Sequence, residues 1–177
     1  MKLLWIGITM ILMQPEEIEI FNFSPQADMQ DWTIVDDVVM GGRSDGGLKL
    51  TEEGHAHFSG TVSLENNGGF SSVRYAFDEM STSGQTKFYI RLKGDGKAYQ
   101  FRVKTSRSDR HSYVAHFETD GSWQTIELPF SEMYPSYRGR TLDMPDYPGS
   151  NMQEISFLIS NNKNESFQLE LDRIWIK

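Results

Sequence analysis

Gly42-Arg43-Ser44-Asp45-Gly46 matches the G-x-S-x-G pattern of a serine nucleophile elbow. Such an elbow needs a strand before the serine and a helix after it. Here Gly47 and the strand-like run Leu48–Thr51 follow, and no histidine after His116 supplies a late base. A glycine-rich loop is the better reading. His55 and His57 fall on one face of a strand, where two imidazoles could hold a metal. No third histidine lies close in sequence, so a pair of exposed strand histidines is favoured. Asp36, Asp37 and Asp45 offer the hard oxygen ligands that calcium takes, but not at EF-hand spacing. The alternatives are Asx-turn capping of a loop, or an ion pair with a strand arginine such as Arg74. Adjacent strand residues point to opposite faces, which argues against Asp36 and Asp37 as one acid–base pair. Asn22-Phe23-Ser24 and Asn164-Glu165-Ser166 fit the glycosylation sequon, a pattern common by chance. No P-loop, H-E-x-x-H or G-x-G-x-x-G pattern occurs. The motifs assign no catalytic residue, no metal site and no cofactor.

The chain that must position these residues has 177 of them and no cysteine. Disulfides, thiolate zinc sites and cysteine nucleophiles are therefore excluded. A chain of this length fits one domain able to bury a sizeable core without a staple. Seventeen Lys and Arg stand against 25 Asp and Glu, a net charge of -8, which argues against a nucleic-acid partner. Hydrophobic residues at 38% and aromatics at 12% are too many for a disordered chain. Residues 1–14 are apolar after Lys2 and stand apart from a domain over 15–177. They read as a signal-like stretch, an extra strand, or a miscalled start ahead of Met13. No small-residue cleavage site follows, so the last two are favoured, with a cytoplasmic location. Export applies if the segment acts as a signal. It is too short to span a bilayer, so membrane association is expected only through a partner.

From Ile18 onward the hydrophobic period is two. Phe88, Ile90 and Leu92 alternate with Tyr89, Arg91 and Lys93; Tyr99, Phe101 and Val103 alternate with Gln100, Arg102 and Lys104. Such alternation puts one face on a core and the other in water. Asn67-Gly68, Gly94-Asp95-Gly96 and Asp120-Gly121 mark turns between the runs. Strands are predicted near 18–23, 32–36, 48–52, 55–64, 70–77, 86–93, 98–105, 112–119, 123–129, 154–161 and 166–176. Ser24-Pro25 could open one helical turn. Residues 38–47 and 131–153 are predicted to be long irregular stretches, the second longer than most loops. An all-β sandwich or barrel follows.

One order of motifs is specific. Trp32, then Val35-Asp36-Asp37-Val38-Val39-Met40-Gly41-Gly42-Arg43-Ser44, is followed by Phe58-Ser59-Gly60 and by Asn66-Asn67-Gly68-Gly69-Phe70-Ser71-Ser72-Val73-Arg74. Gly94-Asp95-Gly96, Tyr99-Gln100-Phe101-Arg102 and Tyr137-Arg138-Gly139-Arg140 come next. In this the chain resembles the complex I intermediate-associated protein 30 domains, from about Ile18 to Lys177. The resemblance implies a jelly-roll β-sandwich, similar to galactose-binding domains. It also implies a non-catalytic assembly chaperone that holds intermediates of respiratory complex I. The start of the chain is not Arg- and Ser-rich, unlike a mitochondrial transit segment.

Two functions follow from this reading. The first is a binding or assembly factor without catalysis, with protein partners such as respiratory-complex subunits. Its grip would come from three loops: Asp36, Asp37, Met40, Gly41, Gly42 and Ser44; Asn66, Asn67, Gly68, Gly69 and Phe70 with Arg74 beyond; and Arg138, Gly139 and Arg140. Glycines allow close backbone approach there, and arginines offer forked donors for carboxylates. The second is a small-ligand module, most simply for carbohydrate. Trp32, Trp123, Tyr134, Tyr137 and Tyr147 would supply the aromatic platform, with Asn151 and Arg138 beside it.

Overall fold

The computed structural model describes residues 16–177, so the apolar segment at 1–14 lies outside the described residues. The strands are β1 (Ile18–Asn22), β2 (Trp32–Asp36), β3 (Asp45–Leu50), β4 (Ala56–Val62), β5 (Ser71–Ser81), β6 (Lys87–Lys93) and β7 (Ala98–Lys104). They continue as β8 (Ser112–Glu118), β9 (Trp123–Pro129), β10 (Tyr134–Tyr137), β11 (Arg140–Thr141), β12 (Asn151–Ile159) and β13 (Glu165–Ile176). All pairings are antiparallel. A six-stranded sheet runs β3-β4-β13-β6-β9, with β1 also on β13. A seven-stranded sheet runs β11-β10-β8-β7-β12-β5-β2.

Every strand predicted from the period of two is present. Three differences have local causes. Gly46 and Gly47, read as loop because glycine is depleted in strands, instead pair with Gly60 and Ser59 and lengthen β3. Residues 131–153 are not irregular throughout: β10 and β11 lie there. Pro135 hides β10 in the sequence, since proline gives no ladder donor, yet Pro135 pairs with Tyr113. Ser24-Pro25 makes a hydrogen-bonded turn, Ala27 N–H donating to the Ser24 carbonyl at 2.9 Å, rather than a helical turn.

The inward faces of the two sheets supply the core. Phe58, Phe88, Phe101 and Phe157 are fully buried with Ile90, Leu92, Ile155 and Leu169. Burial of each such side chain contributes roughly 2 kcal/mol. Phe88 meets Phe101 at 5.0 Å between ring centroids, and Phe101 meets Phe157 at 5.4 Å. Because the inward set on β7 is Tyr99, Phe101 and Val103, its alternates Gln100, Arg102 and Lys104 stand on the outer face. Register places Ser156 and Arg74 beside Arg102 along the same face. That outer face carries the cleft described below.

Candidate functional site

The Asp37 side chain is fully buried. It sits at the first residue of a 3-10 turn, Asp37–Met40, that follows β2. Oδ1 accepts the Ser44 N–H at 2.9 Å, and Oδ2 accepts the Gly69 and Phe70 N–H groups at 2.6 and 3.2 Å. The Ser44 hydroxyl also donates to Oδ2, closely, and accepts the Ser63 N–H at 3.0 Å. Burial alone would raise the carboxyl pKa. The Ser44, Gly69 and Phe70 donors outweigh it and hold the group below the ordinary aspartate value. Two glycines make room: a Cβ on Gly42 would stand 2.2 Å from Oδ1, and one on Gly68 would stand 2.6 Å from Oδ2. Asp36 does a parallel job, accepting the Gly46 N–H at 2.8 Å and the Ser71 hydroxyl at 2.6 Å. The signature loops are therefore fastened to one another through two carboxylates.

That fastening displays an apolar tip. Val38, Val39 and Met40 are 58%, 73% and 57% exposed, and Leu64 on the neighbouring loop is 41% exposed. Gly41, at φ 91°, closes the 3-10 turn in the left-handed region. Asn66 and Asn67 also take left-handed backbone at the exposed crest of the second loop.

Beside the tip a cleft of about 410 Å³ opens on the outer face of the seven-stranded sheet. Met40 and Phe70 line one end, and Tyr137, Arg138 and Gly139 another part of the wall. Arg74 of β5, Gln100, Arg102 and Lys104 of β7, Ser112 of β8, Ser136 of β10, and Leu158 and Ser160 on and after β12 line the rest, with Arg110. Arg138 and Gly139 have positive φ and join β10 to β11 as a two-residue hairpin turn. Arg110 and Arg138 stand 5.2 and 5.5 Å from the Tyr137 ring centroid. The Arg110 hydrogen bond, at 3.3 Å, holds the Tyr137 phenol below its ordinary pKa. Arg102 donates from Nε and Nη2 to Gln100 Oε1 at 3.0 and 2.6 Å. Burial, and then the charge of Arg74, pull the Arg102 guanidinium below its ordinary value, with Tyr134 opposing.

The sequence-selected residues divide between these features. Asp36, Asp37, Gly42, Ser44, Gly68 and Gly69 build the fastening. Met40, Phe70, Arg74, Arg138 and Gly139 line the cleft. Arg140 is exposed on β11 and outside the cleft lining. Of the two alternatives for the loop aspartates, the ion pair with Arg74 is not formed: Arg74 of β5 lies opposite Thr33 of β2, three residues from Asp36, which is about 10 Å along a strand. Asp36 and Asp37 spend their oxygens on loop donors rather than on a cation, and Asp45 is exposed. Ser44 is buried against Asp37, with no histidine among its hydrogen-bond partners. His55 contacts Asp172 at 3.2 Å and packs at a tilt against the Trp123 ring. No metal-type cluster occurs among the described residues. The proposed aromatic platform is dispersed. Trp32 stacks in the core on Tyr75, Tyr147 is buried with its hydroxyl on Asn151, and Trp123 belongs to the other sheet. Tyr134 binds His116, and only Tyr137 of the five lines the cleft.

Gln100, Arg102, Lys104 and Arg110 escaped the sequence reading as site residues. The alternation in β7 held the signal, but the β5-β12-β7-β8-β10 order was needed to place Arg74 on their face.

The fold is the jelly-roll, galactose-binding-like β-sandwich that the family resemblance implied. It resembles the family 11 carbohydrate-binding module of Clostridium thermocellum in complex with a β-1,3-1,4-mixed-linked tetrasaccharide, at TM-score 0.61 and 20% identity, over 90% of this chain and 94% of that one. A variant family 29 carbohydrate-binding module matches at TM-score 0.57 and 10% identity, over 92% and 91%. Such distant likenesses show the fold. The family is shown by sequence: the model for complex I intermediate-associated protein 30 (CIA30) matches residues 21–171, and the chain belongs to that family. "Complex I intermediate-associated protein 30, mitochondrial" of Mus musculus is 24% identical over 89% of this chain and 55% of its own length. The protein of the same name in Drosophila melanogaster is 24% identical over 94% and 65%. The chain thus spans between half and two-thirds of these relatives. An uncharacterized protein of Schizosaccharomyces pombe is 30% identical over 82% of this chain and 77% of its own.

Proposed function

We propose that this chain is a non-catalytic binding module that holds a protein partner, and that the partner is an intermediate of a respiratory complex. Family membership and the names of the mouse and fly relatives support the partner class. The observation that carries the holding role is the exposed Val38-Val39-Met40 tip, fixed by the buried Asp37 hydrogen bonds at the mouth of the cleft. Large apolar side chains held in water by a rigid support mark an interaction site. The test is affinity capture from the native host with the wild-type chain and with Val39→Glu plus Met40→Glu. The expected result is recovery of respiratory-complex subunits by the wild type and their loss from the variant, with thermal stability unchanged. Equal recovery by both, or no such subunits with the wild type, rejects the reading. A carbohydrate ligand is the second reading, favoured by Tyr137 beside the Gln100 and serine side chains of the cleft; glycan-array binding without protein capture would select it.

A further inference from the structure

We infer that the cleft on the outer face of the seven-stranded sheet binds carboxylates, and that its occupant is an acidic segment of the protein held. This rests on the holding role proposed above. The chain has nine arginines. Arg43, Arg91, Arg107 and Arg173 each lie within 4.0 Å of a carboxylate. Arg74, Arg102, Arg110, Arg138 and Arg140 have no such partner among the described residues, and the first four of these line one cleft. Residues 1–15 contain no Asp or Glu that could complete them.

Random placement does not explain this. Carboxylates outnumber cations in the chain, at 25 against 17, yet none lines this cleft. Among the described residues, Glu154 stands 4.0 Å from Lys104, and the Asp109 carboxylate, which also feels Lys104, accepts hydrogen bonds from Thr105 and Ser106. Arg102, half-buried, has a neutral amide oxygen as its partner. Like charges gathered without counter-charge repel one another, and an entering anion relieves that repulsion. A guanidinium fork matches a carboxylate in two parallel hydrogen bonds.

The walls select a peptide over a phosphate or a polyuronate. Phe70, Leu158 and Met40 give apolar surface, and Met40 belongs also to the exposed tip. A segment carrying both acidic and apolar side chains uses the guanidinium groups and those walls together, whereas a sugar acid or phosphate chain has no apolar side chains to place there.

The experiment is fluorescence anisotropy of the full chain with a short labelled peptide of alternating Glu and Leu. The control is the same peptide with Gln for Glu. The Glu peptide should bind about 10-fold tighter or more, and binding should weaken as salt rises. Arg74→Gln plus Arg110→Gln should weaken it at least about 10-fold. If that pair fails to fold, Arg110→Gln plus Arg138→Gln, both at exposed positions, serves instead. Equal binding of the two peptides overturns the inference. So does tighter binding of oligogalacturonate or tripolyphosphate in the competition arm. Discrimination by peptide charge, alongside failed capture of respiratory subunits, would keep the cleft's chemistry and remove only the partner named above.

Discussion

Asp37 keeps its charge in a fully buried position because the loops bring it donors. Truncation to alanine would leave the Ser44, Gly69 and Phe70 N–H groups without their acceptor. Asp37→Ala should therefore cost roughly 3 kcal/mol, measured by urea unfolding. The direction of the pKa shift fixes a pH window. The folded carboxyl lies below its unfolded value, so its contribution is fully present above the ordinary aspartate pKa, near 3.8. It is lost as pH falls through the lower folded value. Wild type should thus lose stability on acidification through this range more steeply than Asp37→Asn, whose amide does not titrate. Parallel curves of unfolding free energy against pH would refute this.

The loops depend on close approach between elements. A Cβ on Gly42 would overlap the Asp37 carboxylate, so Gly42→Ala should force the 3-10 turn away from β5 and lower the thermal midpoint. The loss should be as large as that of Asp37→Ala and not additive with it, since both break one network. The sequence marked these glycines and aspartates as a functional set, and it placed the strands well, because a period of two survives inspection residue by residue. It could not say that Asp37 faces inward while Met40 faces out, since a 3-10 turn has no periodicity long enough to read. Nor could it join Arg74 to Arg102. They are neighbours only because β12 lies between β5 and β7, pairing Ser156 with both. Strand order is a property of long-range pairing and leaves no trace in local alternation. The β10–β11 hairpin was concealed by Pro135, although Arg138-Gly139 at its turn has the backbone of a tight hairpin.

Across the whole molecule, an acidic chain with net charge -8 carries a cationic cleft. Such asymmetry orients an acidic partner before contact. Its association rate should fall roughly 10-fold or more from low to physiological salt, with a smaller change in dissociation; stopped-flow mixing with the Glu-Leu peptide measures both. The six-stranded sheet has a different global property. β13 pairs with β4 along residues 165–171, with β1 near its other end, and with β6 on its second edge. It is the last of the described strands in chain order, yet three earlier strands need it. During synthesis those strands leave the ribosome with bare edges and apolar faces, and this sheet cannot close until β13 has emerged. The chain therefore passes through a state with open strand edges and uncovered apolar faces, the condition in which nascent chains aggregate or engage chaperones.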